Sequence, residues 1–145
     1  AVVAFNQEAY MVSPLSTLGE KKDLTNRILT LQDGGGTFIL AGLKKAEFAM
    51  FDAKGSKNVI LISDGVTMSP EEALKEAERL AKQGIKVYTV GVGKGTTDVV
   101  FMKNLAEKGN GVYFEPDQHE RHTLLGCLRI GGRVRGLRHR RDKLP

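Results

Sequence analysis

Apolar and polar positions along the chain alternate between short solid runs and stretches with helical spacing. Val59-Ile60-Leu61-Ile62 is a solid run of branched and long apolar residues, the pattern of a strand buried on both faces. Ser63-Asp64-Gly65 stops it with a turn signal. Ser69-Pro70-Glu71-Glu72 then opens a helix, with Ser69 as N-cap, Pro70 at its first position and Glu72 closing a capping box. The helix runs to Gln83 with Leu74, Ala77, Leu80 and Ala81 toward the core, and Gly84 takes the position after its end.

The same reading covers the rest of the chain. Ala1–Phe5 and Ala9-Tyr10-Met11-Val12 are two strands joined by Asn6-Gln7-Glu8, which predicts an antiparallel hairpin. Leu24, Ile28 and Leu31 stand at helical spacing between Glu20 and Leu31. A helix from Phe38 to Phe51 carries Leu40, Leu43, Ala46 and Met50 on one stripe, with Thr37 where an N-cap would stand. Ile85 to Val92 is a strand. Asp98 caps a helix bearing Phe101, Met102, Leu105 and Ala106, and Gly109 ends it. Val112-Tyr113-Phe114 is a last short strand, and Asp117 to Leu125 a final helix. Strands alternating with helices from residue 37 onward predict an α/β fold, a mainly parallel sheet with helices on both faces.

Composition narrows the class. A length of 145 residues, 41% hydrophobic and 27% charged, fits one soluble globular domain. No run is long enough to span a membrane. The single Cys127 excludes an intrachain disulfide framework. The net charge of +5 is unevenly spread: residues 129–145 carry seven basic residues against Asp142 alone, a balance of +6, so the other 128 residues balance at −1. The basic character belongs to the tail. The chain opens at Ala1 directly inside an apolar run without Met, which leads to the expectation of a fragment.

Candidate chemistry gathers at loops. In an open α/β sheet ligands sit beyond the carboxyl ends of the strands, where Asp64 falls. Gly34-Gly35-Gly36 gives a loop free to turn tightly, followed by the Thr37 hydroxyl, a hard oxygen donor suited to Mg²⁺ or Mn²⁺. Capping is the commoner use of such a Thr, and turn-shaping is as common a use of Asp64 in an Asp-Gly pair. Gly91-Val92-Gly93-Lys94-Gly95-Thr96-Thr97 is not a phosphate loop: Tyr88 stands where the leading Gly belongs and Gly95 where Ser or Thr belongs. His119, His122 and Cys127 match no zinc spacing. The Gly/Arg tail lacks the aromatic residues that stack bases, so nucleic acid is an unfavoured partner and a disordered, solvated tail the better expectation.

Together these residues resemble the von Willebrand factor A-type domain. Val2-Val3-Ala4-Phe5-Asn6 is similar to that family's second strand. Gly35-Gly36-Thr37 with Ala41-Gly42-Leu43 is similar to its Thr-bearing metal loop and helix. Val59 to Gly65 is similar to its "apolar run, Ser/Thr, Asp, Gly" signature, Ile85 to Gly93 to the next strand, and Gly111 to Phe114 to the last. The resemblance implies a three-layer, Rossmann-like, doubly wound sheet with one antiparallel edge strand. It also implies a metal-ion-dependent adhesion site, where a divalent cation at the top of the sheet is completed by an acidic group of a protein partner. Thr37 matches the hydroxyl ligand and Asp64 the later Asp. Gly35, Gly36 and Gly65 shape their loops.

The family's Asp-x-Ser-x-Ser motif, with its first strand and helix, does not occur in the chain. The expectations are therefore a vWA-like domain over residues 1–118, incomplete at its N-terminal side, and a divergent basic tail over 119–145. Metal affinity is expected to be weak or absent, and the ancestral activity to be protein binding, not catalysis. A metal-dependent enzyme using Asp64, for which no base or nucleophile can be named, and a nucleic-acid-binding tail are the alternatives.

Overall fold

The computed structural model of the chain describes residues 1–17, 23–32, 34–93 and 97–115. Two strands, β1 (Val2–Phe5) and β2 (Ala9–Ser13), form the expected antiparallel hairpin, with Phe5 opposite Ala9 and Ala4 opposite Tyr10. A short helix, α1 (Leu24–Leu29), follows, and none of its residues is buried. Then come α2 (Ile39–Ala49), β3 (Lys57–Ser63), α3 (Pro70–Lys82), β4 (Ile85–Gly91), α4 (Val99–Lys108) and β5 (Tyr113–Phe114). The strands β3, β4 and β5 pair in that order, all parallel, with Leu61 opposite Thr89 and Val90 opposite Phe114. Parallel neighbours need a crossover, and α3 and α4 supply it. The described strands thus form two sheets, β1–β2 and β3–β4–β5. The α/β class with a parallel sheet is the one the alternation of elements predicted.

The core lies on one face of the parallel sheet. Val59 and Leu61 of β3, Ile85 and Val87 of β4, Ile39 and Leu43 of α2, Ala73, Ala77 and Leu80 of α3, and Phe101, Met102 and Leu105 of α4 form one buried cluster. The expectation that β3 is buried on both faces is corrected. Its burial alternates, with Ile60 37% and Ile62 60% exposed. The physical reason is that the described helices which pack on this sheet cover the side of Val59 and Leu61. A continuous apolar run looks the same in sequence whether one face is covered or two.

The helix faces follow their sequence spacing closely. In α4, Phe101, Met102, Leu105 and Ala106 are all buried. In α3 the inward face is Ala73, Glu76, Ala77 and Leu80, and Leu74 and Ala81 are only half-buried. The carboxylate of Glu76 enters that face because Arg79, one turn on, holds it through Nε at 2.9 Å and Nη2 at 2.6 Å. The same guanidinium reaches Glu47 of α2 at 3.0 and 2.5 Å, so one arginine ties α3 to α2. The expected capping box at the start of α3 is not formed: Ser69 is the N-cap residue, but its side chain makes no capping bond. Gly42 lets α2 approach β1, since a Cβ there would stand 2.9 Å from the Phe5 ring. The final helix predicted over Asp117–Leu125 lies outside the described residues.

Candidate functional site

The end of β3 carries the first half of the site. Ser63 is buried, and its hydroxyl oxygen accepts the Gly65 N–H at 3.1 Å. Asp64 is half-buried, and its Oδ1 accepts the Val66 N–H at 3.1 Å, which folds the loop back over the strand end. Gly65 sits at φ +85°, and a Cβ there would stand 2.8 Å from the Met102 side chain and 2.9 Å from the Asp98 carbonyl oxygen. Both the left-handed backbone and the close approach require glycine. The Asp64 carbonyl accepts the Asp98 N–H at 2.7 Å, so the loop leaving β4 braces the loop leaving β3. Asp98 brings a second carboxylate nearby, but its Oδ1 accepts the Phe101 N–H at 2.9 Å and caps α4, as its place in the sequence predicted.

The second half is the loop before α2. Gly35 has φ +79°, and Gly35 and Gly36 both lie against the Gln7 side chain, with would-be Cβ distances of 3.6 Å. The loop is anchored to the hairpin by the Phe38 N–H, which donates to the Asn6 carbonyl at 2.7 Å. The expectation that Thr37 caps α2 is corrected. The helix begins at Ile39, its N-cap residue is Phe38, and no side chain of that residue caps it. The Ile39 N–H instead donates to the hydroxyl oxygen of Thr67, from the other loop, at 3.1 Å. The Thr37 hydroxyl is therefore not spent on the helix end.

The two loops are bonded to one another. The Thr37 carbonyl accepts the Met68 N–H at 3.0 Å and the Thr67 hydroxyl at 3.2 Å. Thr37 and Asp64 thus stand on loops that meet, at the C-terminal end of β3, where ligands bind to open α/β sheets. Gln7 and Thr67 are the neighbours the sequence did not mark. Gln7 was hidden in a polar hairpin loop and Thr67 in an undistinguished Val-Thr-Met stretch, and only the tertiary contact reveals either.

The donors are of one kind, a hydroxyl and a carboxylate, both hard oxygens, which suits Mg²⁺ or Mn²⁺ in chemistry. They are two against the about six that an octahedral cation takes. Among the described residues no group of three or more His, Cys, Asp or Glu side chains gathers. The Gly91–Thr97 loop is a strand-end loop in its described part: the Val92 N–H donates to the Ser63 carbonyl at 3.0 Å, and the Thr97 hydroxyl donates to the Val92 carbonyl at 3.1 Å. His119, His122, Cys127 and the basic tail lie outside the described residues. No described helix is long and apolar enough to cross a membrane.

Comparison with known proteins bears on this arrangement. The family model of the von Willebrand factor type A domain matches residues 1–125. No match to the chain is found among curated proteins. Among solved structures, an aerotolerance-related membrane protein from Bacteroides fragilis is 18% identical over 80% of this chain and 70% of that one, with a TM-score of 0.67. Manganese-loaded TRAP protein from Plasmodium vivax is 23% identical over 77% of this chain and 50% of that one, with a TM-score of 0.64. Proximal thread matrix protein 1 from the mussel byssus, with a zinc-occupied MIDAS motif, is 27% identical over 86% of this chain and 33% of that one, with a TM-score of 0.65. The first two likenesses carry the fold, and the family match extends over most of the chain. The chain belongs to the von Willebrand factor type A domain family.

Proposed function

We propose that this chain is a protein-interaction module whose contact is made through a divalent cation held at the Thr37 and Asp64 loops. The observation that supports it is the junction of those loops. Thr67 takes over the cap of α2, which leaves the Thr37 hydroxyl for another use, and the Thr37 carbonyl is bonded to the loop that begins at Asp64. The zinc-occupied MIDAS motif of the mussel protein supports the same reading by likeness.

In this reading Thr37 donates a neutral oxygen and Asp64 a charged one. Gly35, Gly36 and Gly65 give the backbone the turns that bring these oxygens to the sheet end. When bound, the cation supplies a positive charge that an acidic side chain of the partner can complete. With two protein donors the affinity is weak, because charge count and ligand number set the strength of such sites. The role is binding, not catalysis. The proposal takes residues 1–118 as the module and 119–145 as a basic appendage, which the family match ending at residue 125 overlaps in part.

Thermal melts in millimolar Mn²⁺ test the assignment. Wild type should melt higher with the cation, and Thr37→Ala and Asp64→Ala should not. An equal rise in Asp64→Ala would remove Asp64 from the site.

A further inference from the structure

Two phenylalanines stand bare where α2 ends. Phe48 is 71% exposed and Phe51 78%. A single apolar residue on a surface is ordinary, but these two share a turn. The Phe51 N–H donates to the Phe48 carbonyl at 3.2 Å, a bond across three residues, and in such a turn side chains three apart stand one above the other. Both rings therefore leave the molecule on one side. The inward positions of α2 are already filled by Ile39, Leu43 and Met50, so packing within the fold gives the two rings no use.

Lysines frame the rings. The Lys45 ammonium lies 5.6 Å from the centre of the Phe48 ring, and the Lys57 ammonium donates to the Phe51 carbonyl at 3.3 Å. Lys54 is exposed on the turn between Phe51 and Lys57. Among the described residues no carboxylate forms an ion pair with any of the three. The acids of the same stretch are Glu47, which Arg79 holds, and the exposed Asp52. The backbone of the turn is closed as well, although helix ends ordinarily leave carbonyls that need water. The Glu47 carbonyl accepts the Met50 N–H at 3.0 Å, the Met50 carbonyl accepts the Ala53 N–H at 3.1 Å, and the Phe51 carbonyl takes the Lys57 ammonium. A turn closed in this way can enter an apolar layer without stranding polar groups. A protein partner would find few backbone groups left to bond, and a lipid surface needs none.

We infer that the turn at the end of α2 is a contact for an anionic membrane surface: Phe48 and Phe51 enter the boundary of the acyl region while Lys45, Lys54 and Lys57 meet the negative headgroups. Aromatic rings with lysines beside them suit that boundary, where the apolar part sinks and the long charged side chains reach back to the headgroups. The charge of the lysines selects anionic lipid over neutral lipid. The Thr37 and Asp64 loops stand at the other end of the same helix, about 16 Å away along an 11-residue α2. A chain seated on lipid through Phe48 and Phe51 therefore keeps those loops off the membrane, and the contact does not depend on a cation there.

The test uses the full chain with vesicles of phosphatidylcholine, alone or mixed with phosphatidylserine. The chain has no tryptophan, so Phe51→Trp makes a sole reporter. Its emission should shift to the blue with the mixed vesicles and not with phosphatidylcholine alone. Phe48→Ala/Phe51→Ala should melt like wild type, since both rings are exposed, and co-sediment with the mixed vesicles about tenfold more weakly or worse. Lys54→Gln should weaken co-sedimentation about fivefold. The arginines of residues 129–145 also attract anionic lipid. Co-sedimentation unchanged in Phe48→Ala/Phe51→Ala would assign the binding to those arginines and overturn the inference. Should that double variant fail to fold, Phe51→Ala alone decides: unchanged binding overturns the contact, and severalfold weaker binding supports it. A chain that ignores both vesicles overturns it too. If such a chain is retained on immobilised polyglutamate and Phe48→Ala/Phe51→Ala is not, the surface belongs to an acidic protein partner instead.

Discussion

At Gly65 two constraints coincide, a left-handed backbone and the lack of room for a Cβ beside Met102 and Asp98. Gly55 separates them, because it has φ +89° but nothing within 4 Å of a would-be Cβ. Gly55→Ala should cost about 1 kcal/mol, the strain alone. Gly65→Ala should cost about 3 kcal/mol, the strain together with the displacement of the Asp98 carbonyl. Urea midpoints of the two variants read the difference directly, and equal costs would contradict the packing described around Gly65. Asp98 shows how legible a residue can be when its role is local. Its place before a helical stretch marked it as a cap, and the Phe101 N–H bond bears that out. Thr37 shows the reverse. The local sequence offered the same cap there, but Thr67 from thirty residues away, a separation of 28 from Ile39 itself, occupies it. Nothing in a linear pattern marks an acceptor that arrives from another loop.

The elements are held to one another by side chains that the spacing marks only in part. The spacing placed α3 and α4 within a residue or two and named the whole buried set of α4. It did not place Glu76 on the inward face of α3, since an acidic residue reads as solvent-facing until its partner is known. Its partner is Arg79, which also grips Glu47 on α2. The Arg79 hydrogen bonds hold the Glu76 carboxyl below its ordinary range, against the opposing effect of burial and with help from the charges of Arg79 and Lys44. A depressed carboxyl contributes stability that is complete above the unfolded value and lost as the pH falls through the folded one. The Glu76 contribution is therefore complete above the ordinary glutamate range and is lost as the pH falls below that range, through the depressed folded value. Glu76→Gln should lose about 1–2 kcal/mol at neutral pH, a modest figure because Arg79 is partly solvated. Its melting temperature should converge on that of wild type in acid. Melts of the two proteins from neutral pH into acid check this, and a constant gap across the range would contradict it.

For the whole molecule, the parallel order β3–β4–β5 and the antiparallel hairpin were legible because both follow from local runs and connection lengths. The exposure of one face of β3 was not, because it depends on which elements come to lie on the sheet. Leu61 and Ile62 are neighbours in the same apolar run, yet Leu61 is buried and Ile62 is 60% exposed. Leu61→Ala should cost about 3 kcal/mol, the lost transfer energy with a cavity, and Ile62→Ala less than about 1 kcal/mol. Similar costs in chemical denaturation would mean that both faces of β3 are covered. The site divides along the same line. The places of Asp64 at a strand end and of Thr37 just before a helix were legible in the linear pattern. The junction between their loops was not, since it is built from Thr67 and Met68, which nothing in the linear reading marks.

The most direct measurement is the melting temperature of the full chain with and without millimolar Mn²⁺, on wild type, Thr37→Ala and Asp64→Ala. A ligand that binds only the folded state raises stability with the logarithm of one plus its concentration over its dissociation constant, about 1.4 kcal/mol when the cation stands at roughly ten times that constant. The account predicts a cooperative melt that moves up by a few degrees in wild type and stays unmoved in both variants. A melt indifferent to the cation, or one that rises equally without the Asp64 carboxylate, would contradict the assignment of these two loops as the binding site.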